Sequence, residues 1–325
     1  MPAESLGAIA HYNLLERLGV SALGPMYRAR DTKVGRTVAL RLVPDASFSD
    51  FTARELFLED ARAAMALSHP NIAALFDAAE YEGGCYLAYE FASGVTLRQE
   101  SGGRPVNPRR AVELAAQVAE ALAEGHSRDV LHGDLRPDTV FVTQKGSAKV
   151  LDFGMSRWTR GGTIRLIASS APESLGAGTV PVVSYMSPEQ ALGAGFDHRA
   201  DVFSLGVVLY EMLTGRNPFA GGSVAATLVN ITSAALPPLP VVGAFPDLSA
   251  IVLKATAKEV DRRYQSAVTF SAELRSAGAI LDVRSGDAPP FNGLPLDEER
   301  GAGKWWAAAA AGAAAVAAIV WWSTR

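Results

Sequence analysis

The segment Leu18-Gly19-Val20-Ser21-Ala22-Leu23-Gly24-Pro25-Met26 has glycines spaced so that backbone N–H groups can approach phosphate oxygens without a side chain in the way. Alone, such a segment is no more than a hairpin turn. Its weight comes from the company it keeps, a series of motifs in fixed order toward the C-terminus. A basic residue, Arg41, sits in the apolar run Val38-Ala39-Leu40-Arg41. Much later come His132-Gly133-Asp134-Leu135-Arg136-Pro137-Asp138-Thr139 and then Leu151-Asp152-Phe153-Gly154. Tyr185-Met186-Ser187-Pro188-Glu189-Gln190 and Asp201-Val202-Phe203-Ser204-Leu205-Gly206 complete the series. The chemistry to which the first of these points is phosphate binding.

Composition removes other classes. The chain has 325 residues with 30 Lys+Arg against 34 Asp+Glu, a net charge of -4. A nucleic-acid binder usually carries a basic excess, so none is expected here. The single cysteine, Cys85, excludes a disulfide framework within the chain and fits a reducing compartment. The five histidines are scattered and leave no zinc-type cluster.

The elements that must position these motifs fall in two blocks. Residues 11–93 read mostly as strands. Tyr12–Leu18, Met26–Arg30 and Thr37–Val43 are short apolar runs parted by glycine-containing turns, and Ile72–Ala79 and Cys85–Phe91 are joined by a Glu-Gly-Gly turn. Between them Phe51–Leu67 has helical spacing, closed by Ser68, His69 and Pro70. From 94 to 282 the chain reads mainly helical. Pro108–Gly125 has proline at its start and glycine at its end, and Asp201–Leu213 is strongly apolar. Residues 1–10 are a short leader, and 283–303, rich in Gly, Pro and Asp, read as a linker.

In this order the motifs resemble the bacterial, eukaryotic-like (Hanks-type) Ser/Thr protein kinases, over residues 11 to 282. The resemblance implies an α+β fold of two lobes, a β-rich N-lobe (11–93) and a helical C-lobe (94–282). It also implies ATP as ligand, Mg²⁺ as metal and a protein substrate or signalling partner. Residue by residue, Gly19, Ser21 and Gly24 fall on the phosphate loop. Met26, Ala39 and Phe141 would line the adenine slot, with Tyr89 as a bulky gatekeeper and Glu90, Phe91 and Ala92 as the hinge. Asp134 falls on the catalytic base and Asp152 on the Mg²⁺ ligand. Glu189 and Arg263 match an ion pair that fastens the activation segment. Asp201 matches the residue that holds the catalytic loop. His69 and His132 match packing residues.

The departures from the family pattern cluster at the chemistry. Arg41 stands for the lysine that meets the ATP phosphates, and Asp60 for the glutamate that pairs with it. Gly133 stands for an arginine that binds activation-loop phosphate. Arg136 replaces the catalytic-loop lysine, and Thr139 the asparagine that binds a second Mg²⁺. Pro181-Val182 replace Gly-Thr, which takes away a hydroxyl that in the family meets the catalytic aspartate. Ser21 replaces the middle glycine. Arginine is longer than lysine and aspartate shorter than glutamate, so an Arg41–Asp60 ion pair is expected to bridge the same gap. One Mg²⁺ on Asp152 is expected; Thr139, with one hydroxyl where asparagine has an amide oxygen, argues against a second. Two functions stay open: a kinase of weakened activity, favoured by Asp134 and Asp152, and a pseudokinase acting as a nucleotide-binding or scaffold module.

The C-terminal run from Trp305 to Trp322 carries no charge and is mostly alanine, near the roughly 20 residues that a membrane span needs. Tryptophan pairs sit at both ends, where aromatic belts belong. The reading is a single transmembrane helix over 304–322 in the cytoplasmic membrane. Arg300 and Lys304 at its start put the kinase-like domain in the cytoplasm. Small residues along the run would allow close helix approach and a homodimer.

Overall fold

Alternation along two strands builds the first lobe. In β6 (Gly84–Glu90), Cys85, Leu87 and Tyr89 face one apolar cluster while Tyr86 and Ala88 face another. In β4 (Thr37–Pro44), Ala39 and Val43 join the first cluster while Val38, Leu40 and Leu42 join the second. Successive strand residues point to opposite faces, so Arg41 shares the face of Ala39 and Val43. The structure is a computed structural model that describes residues 6–21, 23–159, 180–239 and 246–285.

Around these two strands lie β1 (Ala8–Ile9), β2 (Tyr12–Ser21), β3 (Gly24–Asp31) and β5 (Leu75–Tyr81), in the order β1-β2-β3-β4-β6-β5. All pairings in this sheet are antiparallel. The sheet has six strands, where the sequence pattern suggests five. The extra one, β1, lies inside the supposed leader and is two residues long, too short to show a period. Helix α1 (Phe51–Met65) is capped by the Asp50 carboxylate, which accepts from Ala53 N–H at 2.8 Å. It buries Phe57, Leu58, Ala61 and Ala64 against the Arg41 face of the sheet. It ends two residues short of the expected Leu67, with Ala66 as C-cap.

The second lobe is mostly helical: α2 (Leu97–Ser101), α3 (Pro108–His126), α4 (Val180–Val183), α5 (Pro188–Ala191), α6 (Arg199–Thr214), α7 (Val224–Ser233), α8 (Pro246–Ala255) and α9 (Ala267–Ser285). Pro108 opens α3 behind an Asn107 cap. Helix α6 is largely apolar and buried almost throughout, as a central helix must be. A three-stranded sheet of β7 (Gly94–Thr96), β8 (Val140–Thr143) and β9 (Ala148–Val150) sits in this lobe; its strands are too short to read from the sequence. Helix α9 continues to Ser285, so Val283 to Ser285 are helical where the sequence reads as linker. The chain to Asp282 forms one compact unit. The expected span at 304–322 lies outside the described residues. Among those described, no helix is long and apolar enough to cross a membrane.

Candidate active site

Strands β4 and β6 carry Arg41 and Tyr89 on one face, and the turn after β9 brings Asp152 to them. Arg41 Nη1 lies 2.6 Å from Asp152 Oδ1, and the Tyr89 hydroxyl donates to the same oxygen at 3.1 Å. The Arg41 guanidinium also lies over the Tyr89 ring, 5.5 Å from its centroid. Arg41 is 3% exposed and Asp152 7%. Burial opposes the charge on Asp152, but the Arg41 guanidinium, His132 and the Tyr89 hydroxyl together hold its carboxyl below the usual range. Burial and the Asp152 charge push the Tyr89 hydroxyl well up, so it stays a donor.

The expected Arg41–Asp60 pair does not form. Asp60 Oδ2 instead accepts from the Trp158 indole Nε1 at 2.8 Å, with Arg157 Nε at 3.8 Å. Trp158 is held by edge contacts to Phe48 and Phe57, at 5.9 and 5.4 Å between centroids. Aspartate is one methylene shorter than the family's glutamate, and here a well-packed indole claims it. A buried guanidinium cannot be left without an anion, and Asp152 on the same face supplies one.

On the opposite side of the cleft, the loop after α3 is fixed mainly through its backbone. Asp201 of α6 accepts from His132 N–H at 2.9 Å and Gly133 N–H at 2.7 Å, with His126 Nε2 at 2.9 Å. Burial works against the Asp201 charge, yet these partners keep its carboxyl below the ordinary range. The His132 ring is a strut. Its Nδ1 accepts from Asp134 N–H at 3.2 Å, so Nε2 carries the proton and donates to Leu151 O at 2.8 Å. One imidazole thus ties the Asp134 backbone to the residue before Asp152. Arg136 Nε lies 3.5 Å from Asp134 Oδ1, and its Nη1 lies 3.4 Å from Asp138 Oδ2. Thr139 Oγ1 accepts from Arg136 N–H at 3.1 Å and donates to Arg136 O at 3.0 Å, closing the loop on itself.

Gly133 is demanded by its surroundings. Its φ is +66°, and a Cβ there would stand 2.5 Å from Ser156 Oγ. The activation segment is fastened by Arg263, whose two terminal nitrogens each meet one Glu189 oxygen at 2.7 Å. Burial disfavours the Glu189 charge, but the Arg263 bonds hold its carboxyl below the usual range. Pro181 and Val182 lie in α4.

The apolar wall of the cleft is one cluster. Met26, Ala39, Tyr89 and Leu151 are buried in it, and Phe91 and Phe141 pack against it. The glycine-rich segment is the hairpin joining β2 to β3, in which Gly19 pairs with Met26 and Ser21 with Gly24. Ser21 Oγ accepts from Leu23 N–H at 3.2 Å and donates to Gly24 O at 3.3 Å. Leu23 is 1% exposed and belongs to the same cluster. Glu90 N–H donates to Ala74 O at 2.7 Å, while its carboxylate pairs with Lys149 Nζ at 2.7 Å. Ala92 follows in the connection to β7. The structure therefore packs Met26, Ala39, Tyr89 and Phe141 in one cluster, joins Arg41 and Tyr89 to Asp152, and turns Asp60 to Trp158. Sequence reasoning missed Leu23, Trp158 and Lys149. No local spacing links a tryptophan to a carboxylate 98 residues earlier.

A sequence profile of the protein kinase domain matches residues 12–251. The chain belongs to this family, in its bacterial Hanks-type Ser/Thr branch. It is 35% identical over 297 residues to serine/threonine-protein kinase PknB of Mycolicibacterium smegmatis, a match covering 89% of this chain and 45% of that protein. A probable serine/threonine-protein kinase PknB of Lactococcus lactis is 30% identical over 288 residues, covering 86% of this chain and 44% of that one. The chain thus spans less than half the length of these curated relatives. The fold is that of the Mycobacterium tuberculosis PknI kinase domain, with a TM-score of 0.64 at 23% identity over 84% of this chain and 98% of that one. Family membership implies ATP and Mg²⁺ use.

Proposed function

We propose that the chain is a Ser/Thr protein kinase domain of weakened activity, passing the γ-phosphate of ATP to a protein hydroxyl. The observation that carries this reading is the His132 strut, which ties the Asp134 backbone to the Asp152 segment. Adenine would lie against Met26, Ala39 and Phe141, beside Tyr89 and the Glu90–Ala92 hinge. Asp134 would orient the acceptor hydroxyl and take its proton as the oxygen attacks the γ-phosphorus and the bond to ADP breaks. Positioning and charge supply nearly all of this catalysis, so an Arg41 turned to Asp152 and a Thr139 hydroxyl turned into its own loop set a low rate.

The metal is where the site departs from its family. Mg²⁺ supplies charge neutralisation between phosphates in phosphoryl transfer. It takes near-octahedral oxygen ligands. The Asp152 oxygen that meets Arg41 already receives two donors, and the Thr139 hydroxyl is turned into its own loop. As built, these residues do not fit the ion.

That misfit favours a second reading, a pseudokinase that binds nucleotide or a signalling partner. Phosphate transfer to a generic basic protein separates the two. The kinase reading expects slow transfer that Asp134→Asn abolishes. ATP binding without transfer from the wild type would leave the pseudokinase. We further propose a membrane anchor in the apolar run from Trp305 to Trp322, with the kinase domain in the cytoplasm. Removing residues 304–325 should release the protein from the membrane fraction; a full chain that already fractionates as soluble would contradict it.

A further inference from the structure

The guanidinium of Arg41 stands where a cation is called for. It meets Asp152 Oδ1 at 2.6 Å inside a site from which both residues have lost nearly all contact with solvent. The Tyr89 hydroxyl caps the same oxygen. The other carboxylate that the family would bring to the basic residue, Asp60, is held by Trp158. Asp152 is therefore already neutralised by a group of the chain itself. Arg41 also keeps an unmet donor. Its Nε–H is buried and has no acceptor among the described residues. A buried N–H without an acceptor is costly, and a phosphate oxygen is the acceptor that arginine's planar fork suits best.

We propose that Arg41 is the built-in cation of this site, neutralising Asp152 and offering its Nε–H to a nucleotide phosphate, so that the domain takes up adenine nucleotide without a divalent metal. This rests on the reading of the cleft as a nucleotide site. A divalent ion would have to displace the guanidinium from Asp152 or share one carboxylate with it at close range. Like charges that near repel, and burial weakens solvent screening. In Arg41→Met the chain keeps a long side chain but loses the charge, and Asp152 becomes open to a metal.

The test uses the full chain in mild detergent. ADP binding is titrated in EDTA and again in excess Mg²⁺. The wild type should give dissociation constants within about threefold of each other. Arg41→Met should bind at least about tenfold more weakly in EDTA and recover with Mg²⁺. If Arg41→Met does not fold, Arg41→Gln, which also loses the charge, replaces it, and should become Mg²⁺-dependent by about fivefold or more. Wild-type binding that tightens tenfold or more with Mg²⁺, or a folded variant that gains no Mg²⁺ dependence, overturns the proposal. Wild type that binds no ADP in either buffer would sink the nucleotide reading instead. Mn²⁺ titration followed by electron paramagnetic resonance then decides this one. It expects no wild-type Mn²⁺ site sensitive to Asp152→Asn and one such site in the Arg41 variant. A wild-type site that Asp152→Asn removes, or a variant that gains none, overturns it.

Discussion

The two walls of the cleft treat their inherited partners differently. On the C-lobe side, Asp201, Glu189 and Arg263 meet the groups that their family counterparts would meet. On the N-lobe side, Arg41 and Asp60 have exchanged partners, one for Asp152 and the other for Trp158. The difference lies in what is being held. Asp201 grips main-chain N–H groups, and Arg263 adds the carbonyls of Ala257, Lys258 and Arg199 to its bond with Glu189. Main-chain partners stay where the fold puts them, whatever the side chains nearby. A pair made only of side chains re-partners when both lengths change and another donor lies closer.

If that contrast holds, breaking the C-lobe staple costs most. Arg263→Ala leaves Glu189 without its cation and several carbonyls without a donor. It should cost about 3–5 kcal/mol in urea unfolding. A loss of roughly 1 kcal/mol or less would show that the staple is ornamental. Gly133→Ala comes next. The left-handed backbone alone costs about 1–2 kcal/mol, and the new Cβ would press on Ser156 at a further cost of about 1–3 kcal/mol. Adding Ser156→Gly should return part of the loss, visible as a rise in melting temperature over the single variant.

A smaller effect probes the strut. Burial pushes the His132 imidazole below its ordinary pKa, against the pull of Asp201, Asp134 and Asp152. A histidine held neutral in the fold is protonated more readily when unfolded. Its contribution is complete above pH of about 6.5 and is lost as pH falls toward the depressed folded value, by at most about 1.4 kcal/mol per pH unit. Unfolding free energies between pH 7 and 5 should show this slope, and His132→Gln should flatten it. The smallest effect concerns the exchanged partner. Trp158→Phe removes the indole donor from a partly exposed Asp60 and should cost about 1 kcal/mol, with Asp60→Asn adding little to it.

Much of the fold is legible in the sequence. The order of the motifs foretells two lobes, the runs bounded by glycine-containing turns foretell β4 and β6, and the apolar stretch Asp201–Leu213 foretells a buried helix. The Glu189–Arg263 and Asp201 roles come from motif position alone. The parts that stay hidden do so for physical reasons. β1 and the β7-β8-β9 sheet are too short to carry a period. An Arg41–Asp60 pair is expected from side-chain lengths only if a shorter acid and a longer base keep the same axis. Trp158 breaks that condition, and its place depends on Phe48 and Phe57 from another part of the chain. Nor does any spacing announce that a bulky Tyr89 will turn its hydroxyl to Asp152.

Arg41 belongs to Asp152 and not to Asp60. Double-mutant cycles on unfolding free energy test it most directly, with Arg41→Met crossed against Asp152→Asn and, separately, against Asp60→Asn. A coupling of about 1–3 kcal/mol is expected for Arg41 with Asp152, and additivity within about 0.5 kcal/mol for Arg41 with Asp60. Coupling in the Asp60 cycle with additivity in the Asp152 cycle would contradict it.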